Sequence, residues 1–182
     1  MNYANIKTYS IENGTGVRVS LFVSGCTHHC KGCFNSVAWD FQYGQAYTLE
    51  TEQEILQALA PDYIRGLSLL GGEPMEPENQ HGLLELAKRA KALHPEKSIW
   101  CYTGDVYEDL VDAASPRHTE ETDELLGLID VLVDGPYIDS LHDITLRFRG
   151  SSNQRVIDMN ETRKTGEVVL WKDEEMYSTH SM

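Results

Sequence analysis

The 182-residue chain has no apolar run approaching the ~20 residues that a bilayer span requires, so no membrane-crossing helix is expected. Cations are scarce: 15 Lys and Arg stand against 29 Asp and Glu, a formal net charge of −14. A nucleic-acid footprint needs basic patches that neutralise phosphates, and this balance argues against one. The start, MNYANIKTYSIENGTG, carries no basic segment followed by an apolar one. No secretory leader is therefore expected, and the cytoplasm is the expected location. Repeats, low-complexity tracts and linker-like stretches are also missing, which points to one domain over 1–182, short for an eight-unit barrel. Cysteine is sparse, with four in the chain, yet three of them fall within eight residues. In a reducing compartment such a grouping favours metal or redox work over disulfides.

Cys26, Cys30 and Cys33 are spaced Cys-x3-Cys-x2-Cys directly after an apolar strand pattern. Three thiolates from one short loop can hold three irons of a cubane [4Fe–4S] cluster, which usually takes four cysteines. One iron would then keep an open position, as open catalytic metal sites do. Three blander readings compete, chance spacing among them. The spacing i, i+4, i+7 also lines one face of a helix, although Gly25, Gly32, Lys31 and Asn35 disfavour a dry helical face. Zinc is another, with His28 or His29 as fourth ligand, although no second ligand pair follows at zinc-knuckle spacing. Cys101, inside the apolar run SIWCYT, reads as a small buried hydrophobe and is not counted as a ligand.

Strand and helix patterns alternate along the chain. VRVSLFVSG (17–25) places Val17, Val19, Leu21 and Val23 on one face and reads as a strand, followed by the cysteine loop at 25–47. Residues 48–60 read as a helix with Thr48 or Thr51 as N-cap and Pro61 as its stop. IRGLSLLGG (64–72) reads as a buried parallel strand, 79–93 as a helix, and 98–103 as a strand with a turn after it. Helices are expected at 105–113 and 120–129, and a strand at 130–133. Patterning weakens after 136, where GEVVLW (166–171) is a candidate edge strand and KDEEMYSTHSM is expected to be a polar, mobile tail. The alternation predicts an α/β fold with parallel strands and right-handed crossovers.

Gly71-Gly72-Glu73-Pro74 closes the 64–72 strand, and open parallel sheets bind ligands at strand C-termini. One βα unit after the cysteine loop, these glycines would face the same rim. Thr103 and Gly104 should reach it too, while Asp134 reads equally as a rim contact or a helix cap. Glu73 is expected to make a structural hydrogen bond, and Arg18 to pair with a neighbouring carboxylate. His81, His94, His118, His142 and His180 show no ligand spacing and read as surface residues.

CTHHCKGC and LGGEP together resemble the radical S-adenosylmethionine superfamily. Within it, NGTGVRVSLFVSGCTHHCKGCFN, LLGGEPMEPEN, IWCYTG, DVLVDGPYI and RFRGSSNQRVID look like the activating proteins of anaerobic (class III) ribonucleoside-triphosphate reductase. These motifs cover about 10–158 and leave the role of 159–182 open. The resemblance implies a partial, open (β/α) barrel whose open side admits a protein substrate. It implies a cluster on Cys26, Cys30 and Cys33, with S-adenosylmethionine chelating the fourth iron. Gly71, Gly72 and Glu73 would form the methionine-side motif, Gly32, Cys33 and Phe34 would line the adenosyl side, and Thr103 would lie near the cofactor. Reductive cleavage of S-adenosylmethionine would then allow hydrogen abstraction from a glycine of the large reductase subunit, with a flavodoxin-type protein as electron donor. Arg147, Arg149, Asn153, Gln154 and Arg155 would either shape the partner's glycine loop or the cofactor carboxylate site, or form salt bridges in an acidic protein. Three alternatives stand beside this: an activase of another glycyl-radical enzyme such as pyruvate formate-lyase, a non-catalytic iron–sulfur electron carrier needing Cys101 near the triplet, and a structural zinc module.

Overall fold

The computed structural model describes residues 1–172; the expected mobile tail and His180 lie almost wholly or wholly outside them. Seven strands form one mixed sheet in the order β3-β1-β2-β4-β5-β6-β7, namely β1 (Asn2–Ser10), β2 (Val17–Val23), β3 (Gln45–Ala46), β4 (Ile64–Gly71), β5 (Ser98–Tyr102), β6 (Val131–Asp134) and β7 (Arg155–Asp158). The helices are α1 (Leu49–Ala58), α2 (Pro77–Leu93), α3 (Tyr107–Val111), α4 (Thr122–Leu128) and α5 (Met159–Thr165).

The centre of the sheet follows the sequence pattern. β2, β4, β5 and β6 pair in parallel, so their C-terminal ends share one rim. Val19, Leu21 and Val23 of β2, with Leu67 and Leu69 of β4, pack into the main core with Ile55 of α1 and Leu83, Leu86 and Ala87 of α2. α1 starts where expected: Thr48 Oγ1 accepts from Thr51 N–H, and the Thr51 hydroxyl accepts from Thr48 N–H, a reciprocal cap. Met1, Tyr3 and Ile6 lean against the same core from the N-terminal edge.

The opposite face of the sheet is covered by loops. Trp100, Val131 and Val133 form a smaller cluster there with Tyr102, Phe148, Val156 and Trp171. Arg18 lies on this face, fully buried, and its expected carboxylate partner is replaced by neutral groups. It donates to Ser68 Oγ (2.7 Å), Ser98 Oγ (3.0 Å), the Leu67 and Ser98 carbonyls (2.8 Å each) and the Thr15 carbonyl (3.3 Å). Its guanidinium also sits 5.5 Å from the Trp100 ring centroid. Burial draws its pKa down to about 10, so the group remains charged at neutral pH.

The edges differ from expectation. β1, antiparallel to β2, has no clear apolar pattern because it carries few apolar residues and only its Ser10 is buried. At the other edge β7 pairs antiparallel to β6. The candidate strand at 166–171 reaches β7 through a single bridge, Ile157 to Leu170. Gly166, at φ 74°, ends α5 in the left-handed conformation, and Val169 N–H is spent on the Thr162 hydroxyl instead of on a strand partner. α3 is shorter than the expected 105–113, because Asp105 belongs to the β5 rim and Asp112 leaves the helix in an extended conformation.

Candidate metal centre

The cysteine loop leaves the rim at the end of β2 and is folded back by its backbone. Gly25 N–H donates to the Ala38 carbonyl (2.8 Å) and Cys26 N–H to that of Trp39 (3.2 Å), while Cys33 N–H closes a turn onto Cys30 (3.1 Å). Gly25 has φ 95°, and a Cβ there would lie 2.3 Å from the Phe41 ring, so only glycine fits. His29, at φ 49°, stacks on Trp39 with ring centroids 4.5 Å apart.

Cys26 is buried, and Cys30 and Cys33 are partly exposed; none is in a disulfide. All three line a cavity of about 600 Å³ together with Gly32, Phe34, Gly71, Gly72, Glu73, Thr103 and Gly104. The structure thus brings every residue of the expected site to one hollow. Phe34 is 92% exposed at its mouth. Burial pushes the Cys26 thiol up to about 11, so a metal must displace a proton there. Cys101 is fully buried in the helix-side core and is not among the cavity-lining residues.

The spacing of the three sulfurs does not suit a single tetrahedral ion. Among the described residues, the three sulfurs do not all lie within 4.8 Å of one another. A tetrahedral zinc at ~2.3 Å from each sulfur would require them roughly 3.8 Å apart. The proposed fourth zinc ligands are also engaged elsewhere: His29 stacks on Trp39, and His28 Nε2 faces Glu73 Oε2 (3.1 Å) and Asp105 Oδ2 (3.4 Å). These carboxylates hold the His28 imidazole protonated, up to about 10, Asp105 contributing most.

The floor of the cavity offers backbone and an unspent hydroxyl. Gly71 has φ 116°, and a Cβ there would meet the Val23 backbone at 2.6 Å. Gly72 N–H donates to the Val23 carbonyl and Glu73 N–H to that of Gly25, both at 2.8 Å, which locks the β4 rim to the cysteine loop. Glu73 is 1% exposed and makes the structural bonds expected of it, accepting from Met75 N–H (2.8 Å) and Gly104 N–H (2.7 Å). Thr103 Oγ1 accepts from Asp105 N–H (3.0 Å). Tyr102 lines the cavity, and its buried hydroxyl has no partner among the described residues, so a ligand with an acceptor oxygen suits it.

The RGSSNQR segment divides. Arg155 bridges Asp134 and Glu108, the salt-bridge alternative. Asp134 also accepts from Tyr107 N–H (2.8 Å) at the start of α3, so it works as a helix cap. Gln154 organises the loop: its Oε1 accepts from Gly150 and Ser151 N–H, and its Nε2 donates to the Gly135 carbonyl. Asn153 donates to the Pro136 carbonyl. Arg149 and Gln154 line the cavity, whereas Asn153 and Arg155 do not. Sequence reasoning missed the charged set beneath the loop, comprising Thr27, His28, Glu76, Asp105 and Arg117. These residues come from four separate segments, and nothing in the chain's local pattern joins them.

Three thiols around one hollow at the rim of parallel strands are the features of an iron–sulfur protein, and residues 12–157 match the family model described as 4Fe-4S single cluster domain. Three relatives bear the name anaerobic ribonucleoside-triphosphate reductase-activating protein. The one from Vibrio cholerae serotype O1 is 44% identical over 156 residues, covering 85% of this chain and 96% of its own. That from Enterobacteria phage T4 is 40% identical over 156 residues, covering 86% and 93%, and that from Escherichia coli K12 is 40% identical over 158 residues, covering 86% and 97%. The chain belongs to the family of anaerobic ribonucleoside-triphosphate reductase-activating proteins.

Proposed function

We propose that this chain activates an anaerobic ribonucleoside-triphosphate reductase as a radical S-adenosylmethionine enzyme, placing a radical on a glycine of the large reductase subunit. The observation that carries this reading is the shared cavity: Cys26, Cys30 and Cys33 on one side and the Gly71–Gly72 rim on the other, in a chain of this family. Cys26, Cys30 and Cys33 would hold a [4Fe–4S] cluster, and one open iron would remain for S-adenosylmethionine. When bound, this pair of cofactors supplies the electron transfer and bond cleavage that allow hydrogen abstraction from the glycine.

The chain's own residues bind, orient and exclude water. Carbonyls of the Gly71–Gly72 rim would accept from the methionine amine, since the Gly72 N–H is already spent on the Val23 carbonyl; Glu73 holds the rim in place through Met75 and Gly104 N–H. Gly32, Cys33 and Phe34 would flank the adenosyl group, and Thr103 would close the β5 side. Tyr102 would donate its hydroxyl to an oxygen of whatever fills the cavity. Phe34, Ile144 and Leu141, exposed near the loops, would meet the partner's glycine segment. In this reading residues 1–182 are one radical S-adenosylmethionine domain, and β2, β4, β5 and β6 are strands of a partial, open (β/α) barrel. A flavodoxin-type protein would deliver the electron, in the cytoplasm.

The test is anaerobic reconstitution with iron and sulfide, then addition of reductant and S-adenosylmethionine. Methionine release is expected, and a glycyl-radical electron-spin signal should appear only when the reductase is present. A reconstituted chain that leaves S-adenosylmethionine intact, with or without reductase, would refute the proposal.

A further inference from the structure

One side chain from the α3–α4 connection reaches back across the rim to the cysteine loop. Arg117, 12% exposed, pairs through Nη1 with Glu76 Oε2 and through Nε with both oxygens of Asp105 (3.1 and 3.2 Å). Its Nη2 donates to Thr27 Oγ1 (2.9 Å) and lies 3.4 Å from His28 Nε2. Thr27 closes the ring, because its N–H and its hydroxyl both donate to Glu76 Oε1 at 2.7 Å. Gln80 Nε2 fixes the segment that carries the arginine by donating to the Arg117 carbonyl (2.8 Å).

Three carboxylates, Glu73, Glu76 and Asp105, thus surround the Arg117 guanidinium and the His28 ring in a largely buried space. Carboxylates left uncompensated in such a space are strongly destabilising. Thr27 and His28, the first two residues after Cys26, take their side-chain partners from this set. The planar fork of arginine can meet Glu76, Asp105 and Thr27 at once, which a lysine ammonium cannot do with the same fixed geometry.

We infer that Arg117 is a positioning residue for the iron–sulfur site: it pins the Thr27–His28 part of the cysteine loop to the rims of β4 and β5, and its charge offsets the carboxylates beside the loop. The inference rests on the reading of Cys26, Cys30 and Cys33 as cluster ligands. Partners one layer outside a metal's ligands commonly change its affinity by about 10–100-fold. Removing the positive charge also leaves a more negative field at the loop, which disfavours the added electron and lowers the cluster's midpoint potential.

The experiment compares full-length wild type with Arg117→Gln, Arg117→Lys and Thr27→Val after anaerobic reconstitution, reading iron retained after desalting and midpoint potential. Arg117→Gln should lose iron about tenfold faster and show a lower potential. Arg117→Lys, keeping charge without the fork, should hold the wild-type potential but lose iron faster. Thr27→Val leaves the arginine paired to Glu76 and Asp105 while removing the hydroxyl that bonds both Arg117 and Glu76, and should speed iron loss without moving the potential. Wild-type retention and potential in Arg117→Gln overturn the inference. Should that variant not fold, wild-type iron retention in Thr27→Val overturns it instead. A wild-type chain that takes up no cluster removes the cysteine reading and this inference with it.

Discussion

Replacing Gly72 by alanine places a methyl carbon 2.5 Å from the Gly25 carbonyl oxygen and 2.8 Å from that of Ala38. Ordinary contact begins near 3.4 Å, so the Gly25 oxygen must retreat by about 0.9 Å. That oxygen accepts from Glu73 N–H at 2.8 Å, and Ala38 accepts from Gly25 N–H at the same distance, so a retreat strains bonds on both sides of the loop. A lost hydrogen bond and local overpacking together cost about 2–4 kcal/mol. Gly25 directly precedes Cys26, and the displacement therefore passes to the first thiol. Gly127 provides the matched control: it lies within α4, and a Cβ there meets nothing within 4 Å. Alanine at 127 should stabilise the chain by about 0.5–1 kcal/mol. Urea unfolding with linear extrapolation measures both, and iron retained after anaerobic reconstitution reads the effect on the loop. Wild-type stability together with full iron retention in Gly72→Ala would refute the reasoning.

Three further outcomes are expected. Cys30→Ala should abolish iron retention, whereas Cys101→Ala, in the helix-side core, should keep it and cost about 1 kcal/mol in urea unfolding; iron loss in the Cys101 variant would make it a ligand. Arg18→Met should destabilise the chain by more than about 3 kcal/mol, because the Leu67 and Ser98 carbonyls and the Ser68 hydroxyl lose their donor in a buried site. A change below 1 kcal/mol, on the order of a surface substitution, would contradict that account. Thr48→Ala should cost about 1 kcal/mol through loss of the α1 cap, checked by thermal unfolding, with iron retention unchanged.

Local signals were sufficient for the parts of this protein that repeat or cluster along the chain. The apolar runs of β2, β4 and β5, the spacing of Ile55 and Leu59 around α1, and the Leu83–Leu86 stripe of α2 were legible because each buries a face of its own element. The cysteine spacing and the Gly71–Gly72 pair were legible for the same reason, since each lies within one short segment. Parallel pairing then brought them to one rim, as alternation of strands and helices predicts. β1 and β7 escaped notice because β1 buries only Ser10 and β7 only Ile157, so neither carries a run of buried apolar residues. Arg18 was assigned a carboxylate by charge alone, yet only the folded sheet shows the neutral carbonyls and hydroxyls that surround it. Likewise, nothing near Arg117 in the chain announces Thr27, 90 residues away, or His28, 89 residues away. The chain's order of residues thus determined its central strands, its first two helices and the thiols of one loop, because those depend on neighbours a few positions apart. Tertiary structure alone decided the sheet edges, the solvation of Arg18 and the charged ring behind the cysteines, because hydrogen bonds and ion pairs between distant segments obey distance in space and leave no period in the sequence.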